Sequence, residues 1–510
     1  MKKLWNILFH RCVMVGLALL LQIAALVVIL LRFQAYFVYF YAICILLSLI
    51  VVVHIINSRS NPGYKIAWIV PILLVPIFGV IFYLLFGGNR LSPRARRKMQ
   101  RIQQQLAILR QDPPVLPAIE AISEEAAAQA RYLERYADCP PYAGTETEYL
   151  PSGEIKFERL KEALAAAERF IFLEYFIIEE GVMWNPILEI LAEKAAKGVD
   201  VRVIYDDVGC LTKLPANYNR RLEALGIQCC VFNPFVPVLT ARLNNRDHRK
   251  IVVVDGKVGF TGGINLADEY INARQPYGHW RDAAILLRGD AVWSLTVMFL
   301  STWSYIRHTD EDFSAFRPAD PTPPAETPTG FVQPYADNPL DNELVGETVF
   351  FNTLAKARRY VYMTTPYLIL DNEMTTALSV AAKSGVDVRI VTPAVSDHPP
   401  VHAVTRANYD LLIENGVRIY EYTPGFIHEK LLVCDDEYAT VGTVNMDYRS
   451  LYLHFECGVW LFQTDSVRQI RDDIRQTLSQ SREITVEDCR RIPWYRRAVR
   501  SLLRAFAPLM

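Results

Sequence analysis

The chain has 510 residues, with 54 Lys and Arg against 55 Asp and Glu, a net charge of −1, and 51% hydrophobic residues. A balance this close to zero excludes the global basic field that draws nucleic-acid binders to their ligand. Nine cysteines, scattered apart from Cys229 and Cys230, give no disulfide framework and agree with a reducing compartment.

In chain order, the first features are three apolar stretches, Cys12 to Leu31, Ala35 to Ile55 and Ile66 to Phe86. Each is about the ~20 residues that a spanning helix requires. They predict an N-terminal membrane module over residues 1–90 with two to three transmembrane helices. Pro71 and Pro76 allow the third to be a kinked or re-entrant segment instead of a full span. Arg90, Arg94, Arg96, Arg97, Lys98 and Arg101 follow, which favours a cytoplasmic side for everything downstream. Residues 91–144 then read as a basic juxtamembrane helix and linker, lying near anionic lipid or solvated.

Two similar stretches come next. Lys197-Gly198-Val199-Asp200-Val201-Arg202 recurs as Ser384-Gly385-Val386-Asp387-Val388-Arg389, each after an Ala-rich helical segment. Downstream of each lies one pattern, H-x-K-x-x-x-x-D, carried by His248, Lys250 and Asp255 and again by His428, Lys430 and Asp435. Each is followed by an apolar run, a turn and a small-residue segment ending in an amide, Thr261-Gly262-Gly263-Ile264-Asn265 and Val441-Gly442-Thr443-Val444-Asn445. An internal duplication is predicted, with a first half at 145–317, a Pro-rich linker at 318–330 and a second half at 331–485. If His-x-Lys lies on a strand, its period of two sends imidazole and ammonium to one face, so one such pair per half can converge on a shared site.

Asp282 in His279-Trp280-Arg281-Asp282 and Glu456 in His454-Phe455-Glu456 each open an apolar strand about thirty residues after a motif histidine. They are the candidates to hold an imidazole by its far nitrogen. Asp255 and Asp435 sit at the far end of a strand from the histidines and read as turn formers or an inter-half salt bridge. The remaining histidines lack the His-x-Lys pattern and read as structural. The chain closes with a basic amphipathic tail, 486–510, in which Arg490, Arg491, Arg496, Arg497, Arg500 and Arg504 interleave with Trp494, Val499, Leu502 and Phe506. It reads as a helix on the membrane surface, with packing on the catalytic domain as the alternative.

The paired motifs, their Gly-x-Asn followers and the hydrophobic N-terminus resemble the phospholipase D superfamily. Asn244 to Lys250 and Gly442 to Ser450 are most similar to its bacterial cardiolipin synthase type. The resemblance covers roughly residues 145 to 480 and implies an α/β fold: two duplicated phospholipase D-like α/β/α sandwich halves sharing one active site, preceded by transmembrane helices. It implies catalytic roles for His248, Lys250, Asp255, His428, Lys430 and Asp435, with His248 as nucleophile and His428 as acid and base. A phosphodiester repels nucleophiles, so its oxygens need cations and amide donors, which Lys250, Lys430, Asn265 and Asn445 supply as phosphate ligands. These cations remove the need for a metal, and no H-E-x-x-H or C-x-x-C cluster argues for one; no cofactor is expected. The implied activity is a multi-pass cell-membrane phosphatidyltransferase with a cytoplasmic catalytic domain. It would join two phosphatidylglycerol molecules into cardiolipin through a phosphohistidine, with anionic lipids as partners and no nucleic acid. A phospholipase D-type hydrolase and an inactive lipid-binding scaffold are the alternatives, and the sequence leaves the oligomeric state open.

Overall fold

The computed structural model describes residues 37–58, 60–87, 106–109, 114–235, 245–318, 329–341 and 343–509, with a few positions between 20 and 28. The first apolar stretch lies largely, and the Arg90 to Arg101 cluster wholly, outside the described residues.

Three helices form the N-terminal module: α1 (Phe37–Ile56), α2 (Pro62–Leu74) and α3 (Pro76–Phe86). They pack around Val52, Ile55, Trp68, Ile72 and Val80, while many other apolar side chains, Leu46, Ile50, Val53, Ile66 and Leu73 among them, face outward. Among the described residues no helix is long and apolar enough to cross a membrane. The second stretch forms the 20-residue α1, whose first side chains fall partly outside the described residues. The third stretch is not one helix. Val75, the residue before Pro76, leaves helical geometry (φ −135°, ψ 74°), as pre-proline sterics favour, and divides it into pieces of 13 and 11 residues. The two fold back on each other so closely that a Cβ on Gly79 would stand 2.5 Å from the Ile72 Cα.

Among the described residues seventeen strands follow. The first half carries β1 (Glu146–Leu150), β2 (Phe170–Tyr175), β3 (Asp200–Asp206), β4 (Gln228–Phe232), β5 (Ile251–Val254), β6 (Val258–Gly262), β7 (His279–Arg281) and β8 (Ala284–Arg288). The second carries β9 (Phe331–Asp337), β10 (Tyr360–Thr364), β11 (Asp387–Pro393), β12 (Arg418–Tyr422), β13 (Gly425–Ile427), β14 (Leu431–Cys434), β15 (Tyr438–Gly442), β16 (Glu456–Phe462) and β17 (Ser481–Ile484). The sheet orders are β1-β8-β6-β5-β2-β3-β4 and β9-β16-β15-β14-β10-β11-β12, the second extended by β17. In each, three strands run parallel (β2-β3-β4 and β10-β11-β12) and the rest pair antiparallel, so the duplication read from the sequence is a duplication of topology.

Helices cover both sheets: α4 (Gly153–Ala166), α5 (Trp184–Ala196), α6 (Val292–Arg307), α7 (Val345–Lys356), α8 (Asn372–Lys383), α9 (Pro399–Ala407), α10 (Asp465–Ser479) and α11 (Trp494–Ala505). The last helix of each half crosses to the other. α6 packs on β2, β4 and β5 but also on β9, and α10 on β10 and β14 but also on β1. One core therefore runs through both halves, from Leu287 and Phe299 to Val332 and Trp460.

Residues 114–144, expected as linker, belong to this body. Ser123 caps a helix over Glu124–Tyr136 whose Ala126, Ala127, Ala130 and Leu133 are buried in the shared core, and Tyr142 pairs with Val332 by two backbone hydrogen bonds. The Ala spacing is a helical stripe that basic flanking sequence obscured. At the other end, α11 packs one face on α9 and leaves Trp494, Tyr495, Val499 and Leu502 exposed. The turn after it, Ala507–Leu509, wedges against α2, where Asn61 Nδ2 also donates to Asp371 Oδ2 and the Tyr452 hydroxyl, both at 2.9 Å.

Candidate active site

The segments carrying His-x-Lys are extended but pair across the two halves rather than within their own sheets. Asp247 bridges Phe455, with the His248 N–H donating to the Phe455 carbonyl at 2.9 Å. β13 pairs in parallel with β7, and the His428 N–H donates to the Arg281 carbonyl at 2.7 Å. Lys250 and Lys430 do share their histidines' side of the chain, each donating to the carbonyl oxygen of its own histidine. The intervening residues turn the other way: Arg249 pairs with Asp247 and Glu174, and Glu429 with Arg281.

This interlocking crosses the carboxylates. His248 Nδ1 lies 3.0 Å from both oxygens of Glu456, which belongs to the second half. His428 Nδ1 lies 2.6 Å from Asp282 Oδ2, which belongs to the first. An ionised carboxylate can only accept, so His248 Nδ1 carries a proton and its Nε2 is left with a lone pair, whereas His428 Nδ1 also has Lys430 Nζ at 2.7 Å.

The two carboxylates are supported differently. Glu456 also accepts from the Thr443 hydroxyl and, at 2.6 Å, from the Ser450 hydroxyl. Burial alone would raise its pKa, but His248 beside it holds the carboxyl well below the usual range. Asp282 accepts from the Ala283 N–H at 2.8 Å, and burial raises it to about 6 despite Lys430, Lys250 and Lys156 nearby. Where Thr443 supports Glu456, the matching Gly263 makes room for the shorter Asp282, since a Cβ there would stand 2.1 Å from its Oδ1.

Every member of the cluster is buried. Burial pushes the lysines down, Lys250 to about 8 and Lys430 to about 7, and pushes the His248 imidazole down to about 3 although Glu456 opposes it. Burial and the charges of Lys430 and Lys250 hold His428 well below its ordinary value. Lys250 thus acts on both histidines, which places the two motifs in one electrostatic unit. An anion entering among these groups would reverse those pressures, restoring charge on lysine and imidazole together.

The other residues of the sequence reading fall as follows. Asn265 Oδ1 accepts from the Ile177 N–H at 3.1 Å and its Nδ2 donates to the Tyr270 hydroxyl at 2.7 Å. The Asn445 N–H donates to Ser450 Oγ at 2.7 Å, and its own buried Oδ1 has no hydrogen-bond partner. Asp255 and Asp435 are corrected: they do not join the histidines, and neither bridges the halves. Asp255 accepts from the N–H groups of Glu168, Arg169 and Phe170 at 2.7 to 2.9 Å, and Asp435 from those of Arg358, Arg359 and Tyr360 over the same range. Each ties the turn after its motif strand to the start of a neighbouring strand of its own half.

Sequence reasoning passed over two residues. Lys156 is fully buried, donating to the Ile264 carbonyl at 2.9 Å and the Tyr175 hydroxyl at 3.1 Å, with its pKa pushed down by burial to about 7. Its signal was its place on the apolar face of α4, in step with Leu160 and Leu164. His454, read as structural, has its ring 5.6 Å from that of His248 and its Nδ1 3.8 Å from Glu456 Oε1. Donor atoms of His248, His454 and Glu456 lie within 4.8 Å of one another, a spacing a metal ion could use, though a cation there would compete for groups already joined by hydrogen bonds. By contrast His398 is exposed on the cleft loop, 3.7 Å from Asp397, which accepts from the Tyr367 hydroxyl.

Two like halves, each giving one His-x-Lys pair and one carboxylate to a common buried centre, define a phospholipase D-type site. Comparison with known proteins agrees. The family described as "Cardiolipin synthase, PLD-like domain" matches residues 160–277 and 350–478, and "Phospholipase_D-nuclease N-terminal" matches 46–88. A cardiolipin synthase of Geobacillus kaustophilus is 34% identical over 92% of this chain and 92% of its own length. An uncharacterized protein of Streptococcus mutans is 42% identical over 90% of this chain and 99% of its own. The crystal structure of phosphatidylserine synthase from Haemophilus influenzae shares the fold, with a TM-score of 0.56 at 14% identity over 75% of this chain and 98% of that one. The chain belongs to the cardiolipin synthase family, phosphatidyltransferases of the phospholipase D superfamily.

Proposed function

We propose that this enzyme makes cardiolipin and glycerol from two phosphatidylglycerol molecules through a phosphohistidine. His248 Nε2 attacks phosphorus while His428, protonated once the phosphodiester anion has entered beside it, gives that proton to the departing glycerol oxygen. His428 then takes the proton of a hydroxyl on the second phosphatidylglycerol, whose oxygen displaces the histidine nitrogen. Lys250 and Lys430, with Asn265 and Asn445, bind the non-bridging oxygens. One phosphodiester is exchanged for another, so no nucleotide and no metal is required. The observation that carries this reading is the crossed pair, His248 with Glu456 and His428 with Asp282.

The setting we propose is the bilayer. The outward apolar side chains of α1 to α3 and the exposed apolar face of α11, set among arginines, would hold the cleft at an anionic lipid surface. That location raises the effective concentration of both substrates.

Purified, detergent-solubilised protein given phosphatidylglycerol alone, without nucleotide or added metal, tests the reading by mass spectrometry of the products. Cardiolipin with stoichiometric glycerol supports it, and phosphatidic acid alone replaces it with hydrolysis. His248→Ala and His428→Ala should each abolish turnover; substantial activity in either would sink the shared site.

A further inference from the structure

The position two residues before each orienting carboxylate holds a ring that flanks a motif histidine. In the first half it is Trp280, 5.5 Å from His428 between ring centroids. In the second it is His454, 5.6 Å from His248. Trp280 is built into an aromatic cluster with Phe426 and Tyr270. His454 is not: its backbone is fixed by the Arg449 carbonyl, but neither ring nitrogen, both buried, has a hydrogen-bond partner. Glu456, 3.8 Å away, is beyond hydrogen-bond reach and already engaged by His248, Thr443 and Ser450. A buried polar ring left unpaired costs free energy comparable to a lost hydrogen bond, so its partner is to be sought in what binds beside it.

We propose that His454 is a third histidine of the site, donating a ring N–H to a non-bridging oxygen of the phosphoryl group while that group is carried by His248. This rests on the reading that His248 is the residue phosphorylated. Geometry selects a non-bridging oxygen: in an in-line displacement the nucleophile and the leaving alcohol stand on opposite sides of phosphorus. A donor at the shoulder of His248 therefore meets the equatorial oxygens and not the alcohol. Even a neutral imidazole carries one N–H, so the ring can donate. Lys250, Lys430 and His454 together would then surround the transferring group, while Trp280 Nε1, likewise buried without a hydrogen-bond partner, is the ring donor on the first half's side.

The test uses tungstate, a phosphoryl mimic, on the full chain in detergent, with binding measured by calorimetry. His454→Phe keeps a flat ring and removes the donor, while His454→Gln restores an N–H. Tungstate affinity should fall about tenfold in His454→Phe, as expected for one lost hydrogen bond to an anion, and recover most of the way in His454→Gln, with unfolding temperatures unchanged. In lipid turnover, accumulation of the phosphoenzyme should fall in parallel. Equal tungstate affinity in wild type and His454→Phe overturns the proposal. So does an equal loss in both variants, which would mark a purely structural ring, and so does tungstate binding that chelation abolishes and zinc restores, which would make His454 a metal ligand. Tungstate binding does not depend on which lipid is the substrate. Normal His454 behaviour with failure to make cardiolipin would therefore count against the proposed substrates and leave this assignment standing.

Discussion

Glu456→Gln is the most informative single change, because the residue lies in one half and acts on the histidine of the other. The substitution keeps shape and removes a charge 3.0 Å from His248 Nδ1. At an effective dielectric of about 20, a unit charge at that distance stabilises the imidazolium character of a phosphohistidine by about 5.5 kcal/mol. The glutamine carbonyl dipole retains part of this, leaving a loss of about 4 kcal/mol, or roughly a thousandfold in kcat. Mass-spectrometric rates of lipid turnover, with single-turnover phosphoenzyme formation, give the number. The partnership itself is tested by a mutant cycle. Read in stability by chemical denaturation, Glu456→Gln should cost nothing further once His248 is gone, whereas in turnover its effect should compound with that of Asp282→Asn. A folded Glu456→Gln protein within tenfold of wild type, or one whose loss of stability adds fully to that of His248→Ala, would refute the crossed arrangement.

Three further outcomes follow from the geometry. kcat/KM, which reports the free enzyme, should fall as pH rises through about 7 and about 8, where Lys430 and Lys250 lose their protons, and should fall again below about 6, where Asp282 takes up a proton, with no limb from His248, which burial keeps neutral down to about 3; a pH-rate profile flat to pH 9 would contradict this. Asp255→Asn and Asp435→Asn each weaken three backbone hydrogen bonds to a buried carboxylate and should lower stability by about 3 kcal/mol in chemical denaturation, with kcat changed less than about threefold. Lys156→Met removes the donor beneath Ile264, whose neighbour is Asn265, and should raise KM for lipid about tenfold, an effect that equal kinetics in wild type and variant would rule out.

The duplication, both histidines, both lysines and the two carboxylates could be read from the chain, because each follows from spacing within one half. Which carboxylate serves which histidine could not. That pairing arises from the bridge of Asp247 to Phe455 and from β7 against β13, contacts between segments with no sequence relation. Asn265 and Asn445 were visible, but not that Asn265 gives its Oδ1 to the Ile177 N–H and one of its two amide hydrogens to Tyr270. His454 escaped for a related reason: it lacks a neighbouring lysine, and only the fold brings it to His248. In the N-terminal module, Pro71 and Pro76 were both visible, yet only the second breaks the helix. Pro71 is absorbed within α2.

The crossing of the carboxylates also orders events in time. His248 leaves the ribosome 208 residues ahead of Glu456, and Asp282 leaves 146 ahead of His428. A nascent first half, however well folded, holds an imidazole without its anchor and a carboxylate without its imidazole. It is chemically silent toward any phosphodiester it meets. On the proposed reading, chemistry switches on only when the second half closes against the first, through the contacts that join each imidazole to its carboxylate.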